Sequence, residues 1–152
     1  MIRCEWACDD GLLQRYHDDI WGVPIHDDQE LFKFLLLEFA QAGLSWLTIL
    51  KKWEGYRLAF DDFNVVKVSG YDPQKINELL HDSGIIRNRL KVNAAVVNAQ
   101  CFLKIQEEFG SFDNYLWRFV DGSPITNRWQ SLSEIPSTTE QSDALSKDLK
   151  SH

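Results

Sequence analysis

The sequence predicts an all-α protein, and two observations carry that prediction. Apolar residues recur at helical spacing in several segments, and no stretch shows the sustained alternation of apolar and polar residues that is typical of strands. The chain has 152 residues, of which 44% are hydrophobic, and this is enough for one core and short for two. We therefore expect a single compact helical domain over residues 1–152.

The first strong helix signal begins at Asp28, in the segment DQELFKFLLLEFAQAG. An Asp cap and an acidic first turn precede an apolar stripe, and Gly43 ends the pattern. The stripe comprises Leu31, Phe34, Leu35, Phe39 and Ala42. Glu38 occupies a place on it that the helical template reserves for an apolar side chain. Adjacent leucines widen the stripe, so we expect Glu38 to be buried, where a carboxylate without a partner is costly.

Further helices follow from caps and spacing. Ser45 can cap a second helix that begins with Trp46, so Trp46 follows Glu38 across a tight corner. Asp72 and Pro73 have the chemistry of a cap and a first helical residue. Three more segments show helical patterns: RNRLKVNAAVVNAQCFLKIQEEFG, SFDNYLWRFV and SDALSKDLKS.

Composition indicates a cytoplasmic protein with no membrane partner. The chain has no apolar run of about 18 residues, and its beginning has no signal-peptide pattern. Three cysteines, an odd number, fit a reducing compartment better than a disulfide framework. The net charge of −7 argues mildly against nucleic acid as a partner. Basic side chains are nevertheless concentrated mid-chain, among them Arg87, Arg89 and Lys91, and can form a local basic face.

Near the N-terminus, Cys4, Cys8 and His17 offer at most three zinc ligands, and their spacing alone is more typical of packed thiols and a capping or surface histidine than of a metal site. The chain contains no nucleophilic triad, phosphate-binding loop or dinucleotide fingerprint. Its six tryptophans are compatible with a filled helical core. Considered alone, Glu38 is better explained as a buried acid paired with a nearby arginine or tyrosine hydroxyl than as a functional group.

Taken together, five segments resemble the DNA-3-methyladenine glycosylase I family. The segments are RCEW at 3–6, YHDDIWGVP at 16–24, LLLEFAQAGLSWLTILKK at 35–52, DSGIIRNRLKV at 82–92 and LSEIPSTTEQSDALSKDLK at 132–150. The resemblance implies an all-α fold of the helix-hairpin-helix glycosylase type. It also implies a monofunctional hydrolase of base-excision repair, which removes 3-methyladenine from alkylated double-stranded DNA and leaves an abasic site.

The resemblance implies roles for the residues of one pocket. Glu38, the expected catalytic group, and Tyr16 hydrogen-bond the flipped-out base, Trp46 stacks on it, and Trp6 and Trp21 complete the pocket. A nucleoside methylated at N3 of adenine is cationic, and a carboxylate beside aromatic faces suits a cation better than it suits neutral adenine. The ligand would therefore be the missing partner of Glu38.

The corner after this helix is expected to contact DNA through Gln41, Gly43 and Leu44. The hairpin of the fold has two candidates, IPSTTEQSDALSKD and DSGIIRNRLKV, of which the first has the expected chain position and the second supplies a glycine turn and basic side chains. We expect a monomer.

The resemblance also implies structural zinc, with Cys4 and His17 as two ligands and a later His and Cys completing the site. This sequence stops at His152, so we expect the C-terminal segment of the family to be lacking and the zinc site to be incomplete. Two other interpretations stay open. One is a catalytically impaired remnant that still binds DNA or methylated base, and the other is a helical interaction module whose tryptophans only fill the core.

Overall fold

A computed structural model describes residues 3–152, and the described residues form helices and loops with no strand, which confirms the all-α prediction. Eight α-helices are present in this range: α1 Gly11–Asp19, α2 Asp28–Gln41, α3 Trp46–Ala59, α4 Val65–Ser69, α5 Pro73–His81, α6 Arg89–Phe109, α7 Phe112–Trp117 and α8 Glu140–Leu149. Short 3₁₀ turns lie at Glu5–Ala7, Asp61–Phe63, Arg118–Val120 and Leu132–Glu134. None of the helices described is long and apolar enough to span a membrane.

The predicted helices are present, and their caps follow from side-chain chemistry. Ser45 Oγ accepts a hydrogen bond from the Thr48 amide at 3.2 Å, as expected for the start of α3. Asp72 accepts from the Lys75 amide at 2.7 Å before Pro73 opens α5. The cap of α2 is Asp27 rather than Asp28, since its carboxylate accepts from the Glu30 amide.

Helices α1 and α4 were not predicted. Tyr16 is the only buried residue of α1, so its sequence carries almost no apolar periodicity. The cap of α1 is Asp10, which accepts a hydrogen bond from the Leu12 amide at 2.7 Å. Helix α4 has only five residues, too few to show a pattern.

The chain divides into two compact units, one that runs to Gln100 and one from Cys101 to His152, with the division inside α6. In the first unit, the α2–α3 hairpin packs around Phe32, Leu37 and Ile49, which are at most 1% exposed. The second unit is organised around stacked Phe102 and Phe112, whose ring centroids lie 4.0 Å apart. The expectation of a single domain stays a prediction.

The buried face of α2 differs from the predicted stripe. Its buried residues are Phe32, Leu36, Leu37 and Ala40. Phe39 is 39% exposed and Glu38 is exposed, so the expectation that Glu38 is enclosed in the helix's apolar face was wrong. The physical reason is that α2 is rich in apolar residues on most sides, and packing against α3 and the turn at Asp61–Phe63 selects one of several apolar faces.

Candidate functional site

A pocket of about 280 Å3 opens in the first unit, and we call it the aromatic pocket. It is lined by Trp6, Tyr16, Trp21, Glu38, Gln41 and Trp46. These side chains come from the turn Glu5–Ala7, from α1 and the loop after it, from the last turns of α2, and from the first residue of α3. The structure therefore brings together all five residues that the sequence analysis placed around a base.

The aromatic rings form the walls of this pocket. Trp46 faces Tyr16 with ring centroids 5.2 Å apart, and Trp6 lies 6.3 Å from Tyr16. Trp21 meets Trp6 edge to face at 5.3 Å. Trp6 is 37% and Trp21 51% exposed, so these two rings border an opening and do not fill the core. Such walls can stack on a flat aromatic ligand.

Glu38 is the single acidic side chain lining the aromatic pocket. It is accessible to solvent through the opening, yet the surrounding side chains displace enough water to raise the pKa of its carboxyl above the usual value. Within residues 3–152, neither the Glu38 carboxylate nor the Tyr16 hydroxyl has a hydrogen-bonding partner. The alternative of a structural ion pair with an arginine therefore finds no support in the described residues.

Tyr16 and Glu38 are electrostatically coupled. Burial is the main reason that the pKa of the Tyr16 hydroxyl is raised, and the negative charge of Glu38 raises it further. The hydroxyl thus stays protonated and can donate a hydrogen bond. The pair offers a ligand one neutral donor and one anionic acceptor.

The corner between α2 and α3 borders the aromatic pocket. Gly43 has φ +77°, a left-handed conformation that favours glycine and ends the helix as predicted. The Gln41 side-chain amide donates to the Leu44 carbonyl across the corner, and the Leu44 amide donates back to the Gln41 carbonyl at 2.7 Å. Gln41 lines the pocket, whereas Gly43 and Leu44 are exposed outside it. Contact of these residues with DNA stays a prediction.

A polar cluster of Arg3, Cys4, His17 and Asp18 adjoins the pocket, because the His17 ring contacts Trp6 and Trp21. Arg3 forms a bidentate ion pair with Asp18, with Nη2 to Oδ2 at 2.7 Å. His17 Nδ1 lies 3.0 Å from Asp18 Oδ1, and His17 Nε2 accepts from the Cys4 amide at 3.3 Å. The hydrogen bond from Arg3, followed by that from His17, lowers the pKa of the Asp18 carboxyl to about 2.

These contacts bear on the expected zinc ligands, Cys4 and His17. Both ring nitrogens of His17 are engaged by Asp18 and by the Cys4 backbone, and the Cys8 thiol points to the Cys4 carbonyl at 3.4 Å. Among residues 3–152, no group of three or more His, Cys, Asp or Glu side chains is placed to share a metal ion. A closed structural zinc site needs four ligands, so the residues that are present do not fit one.

Sequence reasoning missed the role of Asp18. An acidic residue directly after a histidine was the available signal, since a carboxylate that accepts from Nδ1 commonly orients an imidazole. His17 stacks on Trp21 at 5.5 Å and lies 5.3 Å from Trp6. Asp18 therefore holds a ring that in turn contacts two walls of the aromatic pocket.

The second unit has a larger cavity of about 530 Å3, which we call the C-terminal cavity. Its lining consists of Leu116, Trp117, Phe119, Val120, Pro124, Ile125, Asn127, Thr139, Gln141, Ser142 and Leu145. This lining contains no ionisable side chain, so it offers no acid, base or charged ligand group.

Comparison with known proteins identifies the family of this chain. The model of the methyladenine glycosylase family matches residues 6–152. The chain belongs to this family. DNA-3-methyladenine glycosylase 1 of Escherichia coli K12 is 45% identical over 150 residues, which cover 99% of this chain and 80% of the relative.

Two solved structures show the same fold. One is the Y16F variant of 3-methyladenine DNA glycosylase I in complex with 3-methyladenine, with a TM-score of 0.94 and 41% identity over 99% of this chain and 81% of that chain. The other is the E38Q variant of the Staphylococcus aureus glycosylase, also with a TM-score of 0.94 and 41% identity, covering 99% of this chain and 81% of that chain. The first variant replaces a tyrosine numbered 16, and the second replaces a glutamate numbered 38. This chain has the same residue types at the same numbers, Tyr16 and Glu38, and both line the aromatic pocket.

Proposed function

We propose that this methyladenine glycosylase binds flipped-out 3-methyladenine in the aromatic pocket and hydrolyses its N-glycosidic bond in alkylated double-stranded DNA. The observation that carries the proposal is the Glu38 carboxylate, which has no hydrogen-bonding partner among residues 3–152 and is set among three indole rings and the Tyr16 hydroxyl. A cationic methylated nucleoside supplies a positive charge that can pair with the Glu38 carboxylate. The indole faces favour cations as well. The two solved variants of related glycosylases support this assignment.

Selection of the lesion follows from two physical effects. A damaged, weakly paired base is extruded from the duplex at a lower cost than an intact one. Once extruded, the cationic nucleoside interacts with Glu38 more favourably than neutral adenine does, because only the cation neutralises the charge of this partly desolvated carboxylate. We assign Glu38 to stabilising positive charge on the base, and Tyr16 to a hydrogen bond that orients it.

Catalysis needs little further chemistry from the protein. The methylated base is already a good leaving group, so the pocket has to hold it out of the stack and admit water to the sugar. No lysine lines the pocket, which accords with hydrolysis to an abasic site rather than a covalent intermediate with a lysine amine.

We further propose that the protein acts as a monomer in the cytoplasm. Its three cysteines are free thiols, as a reducing compartment would keep them. Backbone amides at helix starts and basic side chains would supply phosphate contacts despite the net charge of −7.

The test combines turnover and binding on the same preparation. Incubation with alkylated DNA should produce alkali-labile abasic sites and release 3-methyladenine, and free 3-methyladenine should quench tryptophan fluorescence saturably. Quenching without abasic sites would identify a base-binding protein without turnover. The absence of both would contradict the proposed function and favour a helical interaction module.

A further inference from the structure

Lys91 lies far from the aromatic pocket in sequence, yet its side chain reaches the end of α2. The ammonium Nζ donates to the Ala40 carbonyl and to the Ala42 carbonyl, each at 2.7 Å. These two bonds connect the first turn of α6 to the corner that joins α2 to α3. The sequence analysis placed Lys91 on a basic face, whereas the structure directs its charge to backbone carbonyls.

The position of Lys91 in α6 is electrostatically unusual. A helix start carries partial positive charge, so a lysine in the first turn is unfavourable for its own helix. The C-terminal end of α2 carries partial negative charge and leaves carbonyls such as that of Ala40 without an intrahelical partner. Lys91 thus satisfies backbone carbonyls at the end of α2 although its charge destabilises the start of α6. The role of Lys91 therefore lies at the corner between α2 and α3.

The corner determines how two walls of the aromatic pocket face each other. Glu38 lies in the last turns of α2, and Trp46 is the first residue of α3. Between them the chain leaves the helical conformation at Ala42, with φ −45° and ψ 120°, and turns at Gly43. A shift at this corner would change the separation between the Glu38 carboxylate and the Trp46 ring.

We propose that Lys91 is a positioning residue for base recognition, which holds the corner between α2 and α3 so that Glu38 and Trp46 meet the same ligand. This inference rests on the proposed function. Two charge-assisted hydrogen bonds onto backbone carbonyls give a rigid point of attachment, and small misplacement of recognition groups is expensive. Lys91 itself does not contact the base, since it does not line the pocket.

The decisive variant is Lys91→Met, which keeps most of the stem and removes the donor. Its matched control is Lys52→Met, because Lys52 Nζ also donates to a backbone carbonyl at 2.7 Å, that of Ser83, away from the corner. We expect Lys91→Met to weaken binding of free 3-methyladenine about ten-fold, and Lys52→Met to stay within about two-fold of the parent. Lys91→Arg, which retains a charged donor, should restore part of the affinity.

Binding of free 3-methyladenine, which has no phosphate, distinguishes a positioning role of Lys91 from a phosphate contact. If Lys91 served only to bind DNA, Lys91→Met would bind free 3-methyladenine as the parent does and would show only weaker DNA binding with a shallower salt dependence. That outcome would overturn the inference, and so would an equal loss in Lys52→Met. Affinities are compared at a temperature at which urea unfolding shows every variant to be folded.

Hydrogen exchange tests the inference without any ligand. Amide exchange in a peptide covering residues 40–48 should be faster in Lys91→Met than in the parent and unchanged in Lys52→Met. If the parent fails to bind 3-methyladenine, the proposed function fails, while faster exchange at the corner would still support the attachment by Lys91. Unchanged exchange at the corner together with parent-like base affinity would reject it.

Discussion

The aromatic pocket and the C-terminal cavity lie in different compact units and differ in a way that their volumes do not reveal. The C-terminal cavity, at about 530 Å3, is the larger one and has an apolar lining with a few neutral polar groups. The aromatic pocket holds only about 280 Å3 but combines a carboxylate, a phenol, an amide and three indoles. This difference indicates that a partly desolvated charge with no ion-pair partner among residues 3–152 marks a recognition site better than empty space does.

The largest effect should come from removing the charge of the aromatic pocket. Glu38→Gln keeps the side-chain shape, so single-turnover excision of 3-methyladenine from alkylated DNA should fall about ten- to a hundred-fold, because a charge-assisted bond of about 1.5–3 kcal/mol is lost. The melting temperature should be equal to the parent's or higher, since no group among residues 3–152 donates a hydrogen bond to this carboxylate.

The matched control for Glu38→Gln lies in the other cavity. Asn127→Ala changes a polar lining residue of the C-terminal cavity and should leave excision within about two-fold of the parent. Unchanged excision in Glu38→Gln, combined with a marked drop in melting temperature, would show that Glu38 serves the fold.

The second effect concerns stacking in the aromatic pocket. Trp46→Ala should weaken free 3-methyladenine binding by about 1–3 kcal/mol, the contribution of one base–aromatic contact, and should remove part of the fluorescence quenching. Trp117→Phe, in the C-terminal cavity, should leave the affinity for free 3-methyladenine unchanged. Parent-like affinity in Trp46→Ala would exclude Trp46 as the stacking surface.

A third, smaller effect follows from the pKa of Glu38. Burial raises this pKa in the folded state, so between its unfolded value of 4.5 and the raised value the folded chain binds more protons than the unfolded chain. Stability of the free protein should therefore increase as pH falls through this window, while base affinity should decrease because the carboxylate becomes neutral. Urea unfolding midpoints and fluorescence titrations between pH 4.5 and 7 measure both trends.

Glu38→Gln should remove the contribution of Glu38 to the pH dependence of stability and to the pH dependence of base affinity. The ion-paired carboxyl of Asp18 does not interfere, because its lowered pKa gives a contribution that is fully present above 3.8 and is lost only as pH falls through about 2. Profiles that are identical in Glu38→Gln and the parent would mean that another group causes the pH dependence.

The smallest effect is expected from metal removal. Cys4 and His17 alone do not close a tetrahedral site, so the dialysed protein should contain clearly less than one zinc per chain, and EDTA should change neither melting temperature nor excision. Full zinc occupancy would show that Cys8 or another group completes the site and that the hydrogen bonds around His17 rearrange.

Local chemistry made much of the fold predictable. Ser45 and Asp72 could be recognised as caps because their hydrogen bonds involve amides only three residues away. Helix α1 could not be recognised, since it is held by the burial of Tyr16 and by the Asp10 cap rather than by an apolar stripe. The orientation of α2 was also beyond local reasoning, because several of its faces are apolar and only contact with α3 selects one.

The helical class, the corner at Gly43 and five of the six residues that line the aromatic pocket were predictable from the sequence, the last through resemblance carried by separate segments. Tertiary packing was needed to establish that Glu38 faces an opening, that Asp18 orients His17 against Trp6, and that Lys91 holds the end of α2. The physical reason is the sequence distance over which each interaction acts. Caps and turns depend on neighbouring residues, whereas desolvation of Glu38 and the reach of Lys91 across 49 and 51 positions depend on which elements pack together.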